Sequence, residues 1–205
     1  GDDDAFERLM QRCERIRQQG VPNYFGEQRF GHGMKNLVDA EHMFSRSRTR
    51  LSRHKRSLLL SAARSWIFNT ILSQRVGAGS WNRRVEGDVL MLDGRSACFK
   101  DDGSVDLDQR IERGELHPAA VLWGDGETMA MADCRRIESE VVDRYPLFKQ
   151  GLIDARVDQQ RRSMRVRVPD LDCRQHASDL VLSFSLPAGS YATTVLREMI
   201  KLREK

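Results

Sequence analysis

The sequence predicts an α+β protein in which one domain interrupts another. Three observations carry that prediction. Apolar residues recur at helical spacing near residues 6–16, 56–76 and 129–144, strand-like segments fall between them at 89–99 and 119–123, and a period-two strand with a helix closes the chain.

Phe6, Leu9, Met10, Cys13 and Ile16 share one helix face, and Asp2 to Asp4 suit the positive end of that helix. Gly20 is placed to end it in the left-handed conformation. Gly31-His-Gly-Met-Lys35 reads as a glycine-rich turn. It is no dinucleotide-binding fingerprint, because no buried strand precedes it and a third glycine is missing. A second helix is predicted from about Arg56 to Val76, stopping at Gly77. Leu59, Ala62, Ala63, Trp66, Ile67 and Ile71 give it a wide apolar face, with Arg64 and Asn69 as polar members. Val89 to Leu92 and Ala97 to Phe99 read as strands across a turn at Asp93-Gly94. Asp106 with Gln109 resembles a capping box that opens a short helix ending near Gly114. An apolar run from Ala119 to Trp123 lies between Pro118 and the Gly124-Asp-Gly126 turn. A helix then spans roughly Met129 to Arg144, and Pro146 forbids its simple continuation. Leu180, Leu182, Phe184 and Leu186 alternate with Val181, Ser183 and Ser185, the mark of a half-buried strand. Pro187-Ala-Gly189 turns the chain, Ser190 can cap, and Val195, Leu196, Met199 and Ile200 give a final amphipathic helix.

At 205 residues and 40% hydrophobic the chain can bury a real core, and with 31% charged residues its surface is well solvated. No apolar run approaches the roughly 18 residues of a membrane helix, so no membrane partner is expected. Gly1-Asp-Asp-Asp-Ala5 has neither the basic nor the apolar region of a signal peptide. Cys13, Cys98, Cys134 and Cys173 are scattered without a Cys-x-x-Cys, as expected of reduced thiols in a cytoplasmic protein. The five histidines form no pair at metal-binding spacing, and Asp101, Asp102, Asp106 and Asp108 fail the calcium-loop pattern. No Gly-x-Ser-x-Gly elbow suggests an ordinary hydrolase.

Net charge is only +4, with a pI near 9.0, but its distribution says more. Arg46, Arg48, Arg50, Arg53, Lys55 and Arg56 crowd one stretch that contains no acid and feeds the start of the second helix. The macrodipole disfavours cations there, and a bound phosphate would relieve the conflict. A solvated basic linker is the plainer alternative.

The most informative stretch is Val21-Pro-Asn-Tyr-Phe-Gly-Glu-Gln-Arg-Phe-Gly31. Tyr24, Phe25 and Phe30 supply ring faces, Asn23 and Gln28 two-way hydrogen bonds, and Arg29 a planar cationic fork. Those groups can hold an unstacked nucleotide by its base face, base edge and phosphate. A tight turn with core aromatics and a structural Arg29–Glu27 pair would use the same residues.

This stretch resembles the signature of the TruD family of tRNA pseudouridine synthases. Two later segments match that family in sequence and order: Lys55-Arg-Ser-Leu-Leu-Leu-Ser-Ala-Ala-Arg-Ser-Trp-Ile-Phe-Asn69 and Leu186-Pro-Ala-Gly-Ser-Tyr-Ala-Thr-Thr-Val-Leu-Arg-Glu198. The resemblance runs from about Cys13 to the end. It implies a pseudouridine synthase core with a mixed sheet and a cleft, interrupted by an α/β insertion. Residues 1–34 would belong to the core, 35–166 to the insertion, and 167–205 to the return.

The implied reaction isomerises a uridine, at position 13 of tRNA, through an ionised aspartate nucleophile, with no metal or cofactor. The family's Gly-x-Lys-Asp-x-x-Ala motif is expected well before Val21, and an Asn-x-Phe element also ahead of the signature. The one Lys-Asp here, Lys100-Asp101, lacks the flanking glycine and alanine and follows the signature. The chain is therefore expected to be the C-terminal part of a longer enzyme, inactive alone, monomeric, and completed by the missing N-terminal part. No catalytic residue is expected within it. By resemblance Tyr191 packs against the target base, and its hydroxyl is a departure from a more frequent Phe. Arg197 is a candidate partner for the missing aspartate or for a local acid, Asn23, Phe25, Gln28 and Arg29 shape the pocket, and Arg53, Lys55, Arg56 and Arg64 meet RNA backbone. A non-catalytic RNA-binding module that keeps the cleft wall is the alternative.

Overall fold

The computed structural model describes residues 2–45, 50–176 and 179–200. Its elements in chain order are α1 (Asp2–Gln19), β1 (Val21–Pro22), α2 (Lys35–Ser45), α3 (Arg53–Gly77), β2 (Val89–Leu92), β3 (Cys98–Lys100), α4 (Leu107–Glu112), β4 (Leu116–Leu122), α5 (Ala132–Val142), α6 (Pro146–Asp154), β5 (Gln160–Ser163), β6 (Arg165–Val166), β7 (Asp172–His176), β8 (Asp179–Ser183) and α7 (Ala192–Met199). Two 3-10 turns, Glu27–Arg29 and His32–Met34, shape the signature loop and its exit.

The α+β class holds. The ladders among the described residues are antiparallel rather than mixed: β3-β2-β4-β5 form one sheet, β1-β6 and β7-β8 two short ones, and one isolated parallel bridge joins Asp125 to Asp158. Two main apolar cores follow from this layout, with two small clusters beside β2. The larger packs α2, α3, α5 and α6 against β4, and takes in Phe25 and Phe30 of the signature. The smaller joins Cys13, Ile16 and Val21 to Val166, Val168, Leu171, Cys173, Val195 and Met199. Residues from the two ends of the chain thus share one core.

Several sequence expectations shift. α3 begins at Arg53 rather than Arg56, with the Ser52 hydroxyl capping the Lys55 amide, so Arg53 and Lys55 are helical as well. Arg46 and Arg48 lie outside the described residues. Asp106 makes no side-chain cap bond to α4; its carboxylate lies 4.0 Å from Arg110 instead. β8 ends at Ser183, short of Leu186, and β7 pairs with it along its length although no apolar alternation marks β7. Gly20, at φ 74°, does end α1 as expected.

A polar network with a buried centre at His117 and Arg165 braces the four-stranded sheet against β6. Arg165 Nε donates to His117 Nδ1 at 2.9 Å, and His117 Nε2 lies 2.7 Å from Asp93 Oδ1. An arginine can only donate, so Nδ1 must accept, Nε2–H donates to Asp93, and the imidazole is neutral. Burial, aided by Arg165 and Arg167, holds its pKa below the ordinary 6.5, against the pull of Asp93. The unfolded chain therefore takes up this proton first. Stability from this site is full above pH 6.5 and is lost as pH falls through 6.5, until folded His117 protonates too. Melting curves at pH 5.5 and 7.5 should show a larger acid loss for wild type than for His117→Gln. Equal losses would contradict the assignment.

Candidate substrate pocket at the signature loop

Four segments converge on the Phe25 ring. β1 enters beside β6, and Asn23 is fixed there by its amide to Met164 O and its Nδ2 to Ser163 O, each 2.9 Å. α3 then clamps the next turn: Asn69 Oδ1 accepts the Phe25 amide and Asn69 Nδ2 donates to the Phe25 carbonyl, both at 2.9 Å. That two-point clamp presents the Phe25 ring edge-on to Phe68 at 5.5 Å and to Tyr191 at 6.1 Å. Gly26 allows the approach, since an added Cβ would lie 2.9 Å from Tyr191 Cδ1.

Arg29 ties this loop to the start of α7. Its Nε and Nη2 both donate to the Tyr191 hydroxyl, at 3.1 and 2.9 Å, while Nη1 donates to Ser61 Oγ at 2.9 Å. The expected Arg29–Glu27 alternative is not what forms: Glu27 pairs with Arg197 at 2.6 Å, on an exposed surface. Arg197 thus takes the local-acid option. Gln28 is exposed beside the loop.

Sequence reasoning missed Arg162. It sits on β5, where strand alternation sends Arg161 to buried Glu138 and Arg162 to the opposite face. Its guanidinium lies 4.1 Å from the Phe25 centroid, and Nη2 donates to Asn23 Oδ1 at 2.7 Å and to Gly189 O at 3.0 Å. One side chain therefore links the signature, the four-stranded sheet and the turn before Tyr191. Burial, with Arg29 adding to it, lowers the Arg162 pKa to about 10. Among the described residues no carboxylate forms an ion pair with Arg29 or Arg162, so the pocket keeps a positive potential suited to an anion. The signal available in sequence was only the Arg161-Arg162 pair in an otherwise featureless strand.

The basic positions divide. Arg53 and Arg56 are exposed on the first turn of α3. Lys55 pairs with Asp39 at 2.8 Å. Arg64, expected at RNA backbone, instead donates to the carbonyls of Trp123, Leu122 and Asp158, and burial lowers its pKa. Its helix position points it at the open end of β4, so those carbonyls take its Nε and Nη2. Asp101 is likewise structural, accepting from the Gly103 amide and pairing with Arg84 at 3.1 Å. The Asn-x-Phe spacing expected ahead of the signature is present within it, as Asn23-Tyr24-Phe25.

The sequence profile of the tRNA pseudouridine synthase D (TruD) family matches residues 32–199. The chain belongs to the TruD family. It is 47% identical over 195 residues to tRNA pseudouridine synthase D of Methylococcus capsulatus, covering 94% of this chain and 55% of that protein. The protein of the same name from Hydrogenovibrio crunogenus is 41% identical over 199 residues, covering 97% and 58%. A crystal structure from Methanosarcina mazei assigned to tRNA pseudouridine synthase D superposes with a TM-score of 0.77 at 21% identity, over 98% of this chain and 65% of that one, and so shares the fold. This TruD chain spans somewhat more than half the length of the curated relatives it matches. No helix among the described residues is long and apolar enough to cross a membrane.

Proposed function

We propose that this chain forms one wall of the substrate cleft of a tRNA pseudouridine synthase, with the aspartate nucleophile contributed by a preceding segment of the complete protein. The observation that carries this reading is the Arg29–Tyr191–Phe25–Arg162 assembly. Aromatic faces and amide edges can hold a flipped base, and two guanidiniums without carboxylate partners can hold its phosphate. On this reading the return segment positions Tyr191 against the base, Asn23, Phe25 and Arg29 set the pocket's shape, and Gln28 meets RNA at its rim.

The segments 1–34 and 167–205 act as catalytic core and 35–166 as the inserted domain, a division favoured by the shared core of the two chain ends. The reaction is isomerisation of a tRNA uridine, without metal or cofactor, by a monomer in the cytoplasm. The isolated chain binds RNA but forms no product, because its Lys100-Asp101 is spent on structure.

Arg29→Ala in the complete protein should fold normally and lower kcat/KM about tenfold or more, since the pocket loses a cation and the tie to Ser61 as well as the anchor of Tyr191. Normal turnover would remove the pocket assignment. Arg53 and Arg56 serve as outer backbone contacts. The Arg53/Lys55/Arg56 triple alanine should flatten the salt dependence of tRNA affinity by about two phosphates' worth, Lys55 being held by Asp39. An unchanged slope would remove that contact.

A further inference from the structure

A cleft of about 910 Å³ separates the β2–β3 turn from the loop that leads into Tyr191. One wall holds Asp93, Arg95 and Ser96 of the turn with Arg165 and Arg167 of the β6 segment; the other holds Ser185 to Pro187, Ala188 and Ser190. The acids in its lining are already engaged. Asp170 accepts the Ser185 amide at 3.2 Å, and Asp93 Oδ1 is bound by His117. The arginines are not balanced by them. Arg95 is exposed at the tip of the turn; its amide donates to Leu92 O at 3.1 Å, while its guanidinium makes no hydrogen bond or ion pair among the described residues. Arg167 is held flat over Gly114, where an added Cβ would lie 2.8 Å from its Nε, and its Nη1 reaches only to 4.0 Å from Asp93 Oδ2. Arg162, whose ring contacts define the pocket, lines the same cleft.

Resting on the function proposed above, we propose that Arg95 and Arg167 form a phosphate subsite for the RNA strand flanking the target uridine, and that buried Arg165 and His117, through exposed Asp93, position the turn that carries it. A guanidinium with free donors and a neighbour fixed by packing is suited to a phosphate's oxygens. The network supplies the rigidity. Arg165 is anchored to Ile111 O at 2.7 Å and to His117, His117 holds Asp93, and Asp93 precedes the tip by two residues. A strand whose base enters beside Tyr191 reaches this cleft through Ser190 and Arg162, and its backbone then meets this turn or the 185–190 loop. Of those two surfaces, the turn bears the unpaired cation. His117 is a positioning residue here and touches no RNA.

The test measures tRNA affinity of the complete protein against salt concentration, with pseudouridine formation followed in parallel. Arg95→Ala should flatten the log–log slope by about one unit, and Arg95→Lys should restore it. Arg167→Ala should also flatten it, whereas Arg136→Ala, outside the cleft lining, should not. His117→Gln should lose slope as Arg95→Ala does, and the double variant should lose no more than either alone. A purely structural His117 would lower the melting temperature and leave the slope of the folded protein intact, which would overturn the positioning role. Unchanged slopes for Arg95→Ala and Arg167→Ala, in a protein that still makes pseudouridine, overturn the subsite alone. A wild-type protein that makes no pseudouridine overturns the functional reading and the subsite with it.

Discussion

Asp88→Ala is expected to lower the unfolding free energy by about 3–5 kcal/mol, because it strands a buried guanidinium. Arg75 is 2% exposed and Asp88 fully buried, joined by two parallel bonds of 2.8 and 2.9 Å. The same arginine donates to the carbonyls of Ser80 and Arg83, at 2.9 and 3.0 Å from Nη2, and Asp88 Oδ2 also accepts the Val85 amide at 2.8 Å. This cluster fastens the end of α3 to the loop that starts β2, so its loss should loosen the four-stranded sheet. Chemical denaturation of wild type and variant reads the difference directly. A change below about 1 kcal/mol, the scale of an exposed pair, would mean that the site is wetter than its geometry implies.

The second large effect concerns Tyr191. Stacking of a base on an aromatic is worth about 1–3 kcal/mol by alanine substitution, so Tyr191→Ala should cut kcat/KM of the complete protein by roughly 5- to 150-fold. Tyr191→Phe keeps the ring and loses only the acceptor for Arg29, a net cost of about 1 kcal/mol in stability. Its turnover should stay within about tenfold of wild type. The hydroxyl accepts from two nitrogens of Arg29, and on the proposed reading that contact anchors the ring. Single-turnover rates on tRNA separate the two variants. A Phe variant as slow as the Ala variant would return chemistry to the hydroxyl.

Where burial dominates, the sequence was readable. Leu59, Ala62, Ala63, Ile67 and Ile71 predict α3 and are all buried within it, and Val195 and Met199 do the same for α7. Apolar periodicity failed where strands bury or pair polar side chains. β5 reads Gln-Arg-Arg-Ser, yet it is a sheet strand because Arg161 finds Glu138 and Arg162 finds Phe25. β7 is polar because it forms a hairpin with β8 whose outer face is exposed. α2 did carry a signal, since Leu37, Ala40 and Met43 are buried at helical spacing, but the glycine-rich entry obscured it.

The pocket was legible as a set of residue types and opaque as a set of contacts. The chemistry of Asn23, Phe25 and Arg29 could be read locally. Their partners Tyr191 and Arg162 lie more than 130 residues away along the chain, and no local pattern links them. Arg64 misled because a cation on a helix looks solvated until backbone carbonyls at a strand end are found to accept from it.

The measurement that bears most directly on the central claim is tritium release from C5 of uridine in a tRNA transcript, using the complete protein of which this chain is part. The account predicts release matched by pseudouridine formation, strongly reduced in Tyr191→Ala and Arg29→Ala. Release that is indifferent to both variants, or tRNA binding by the complete protein with no release at all, would contradict it.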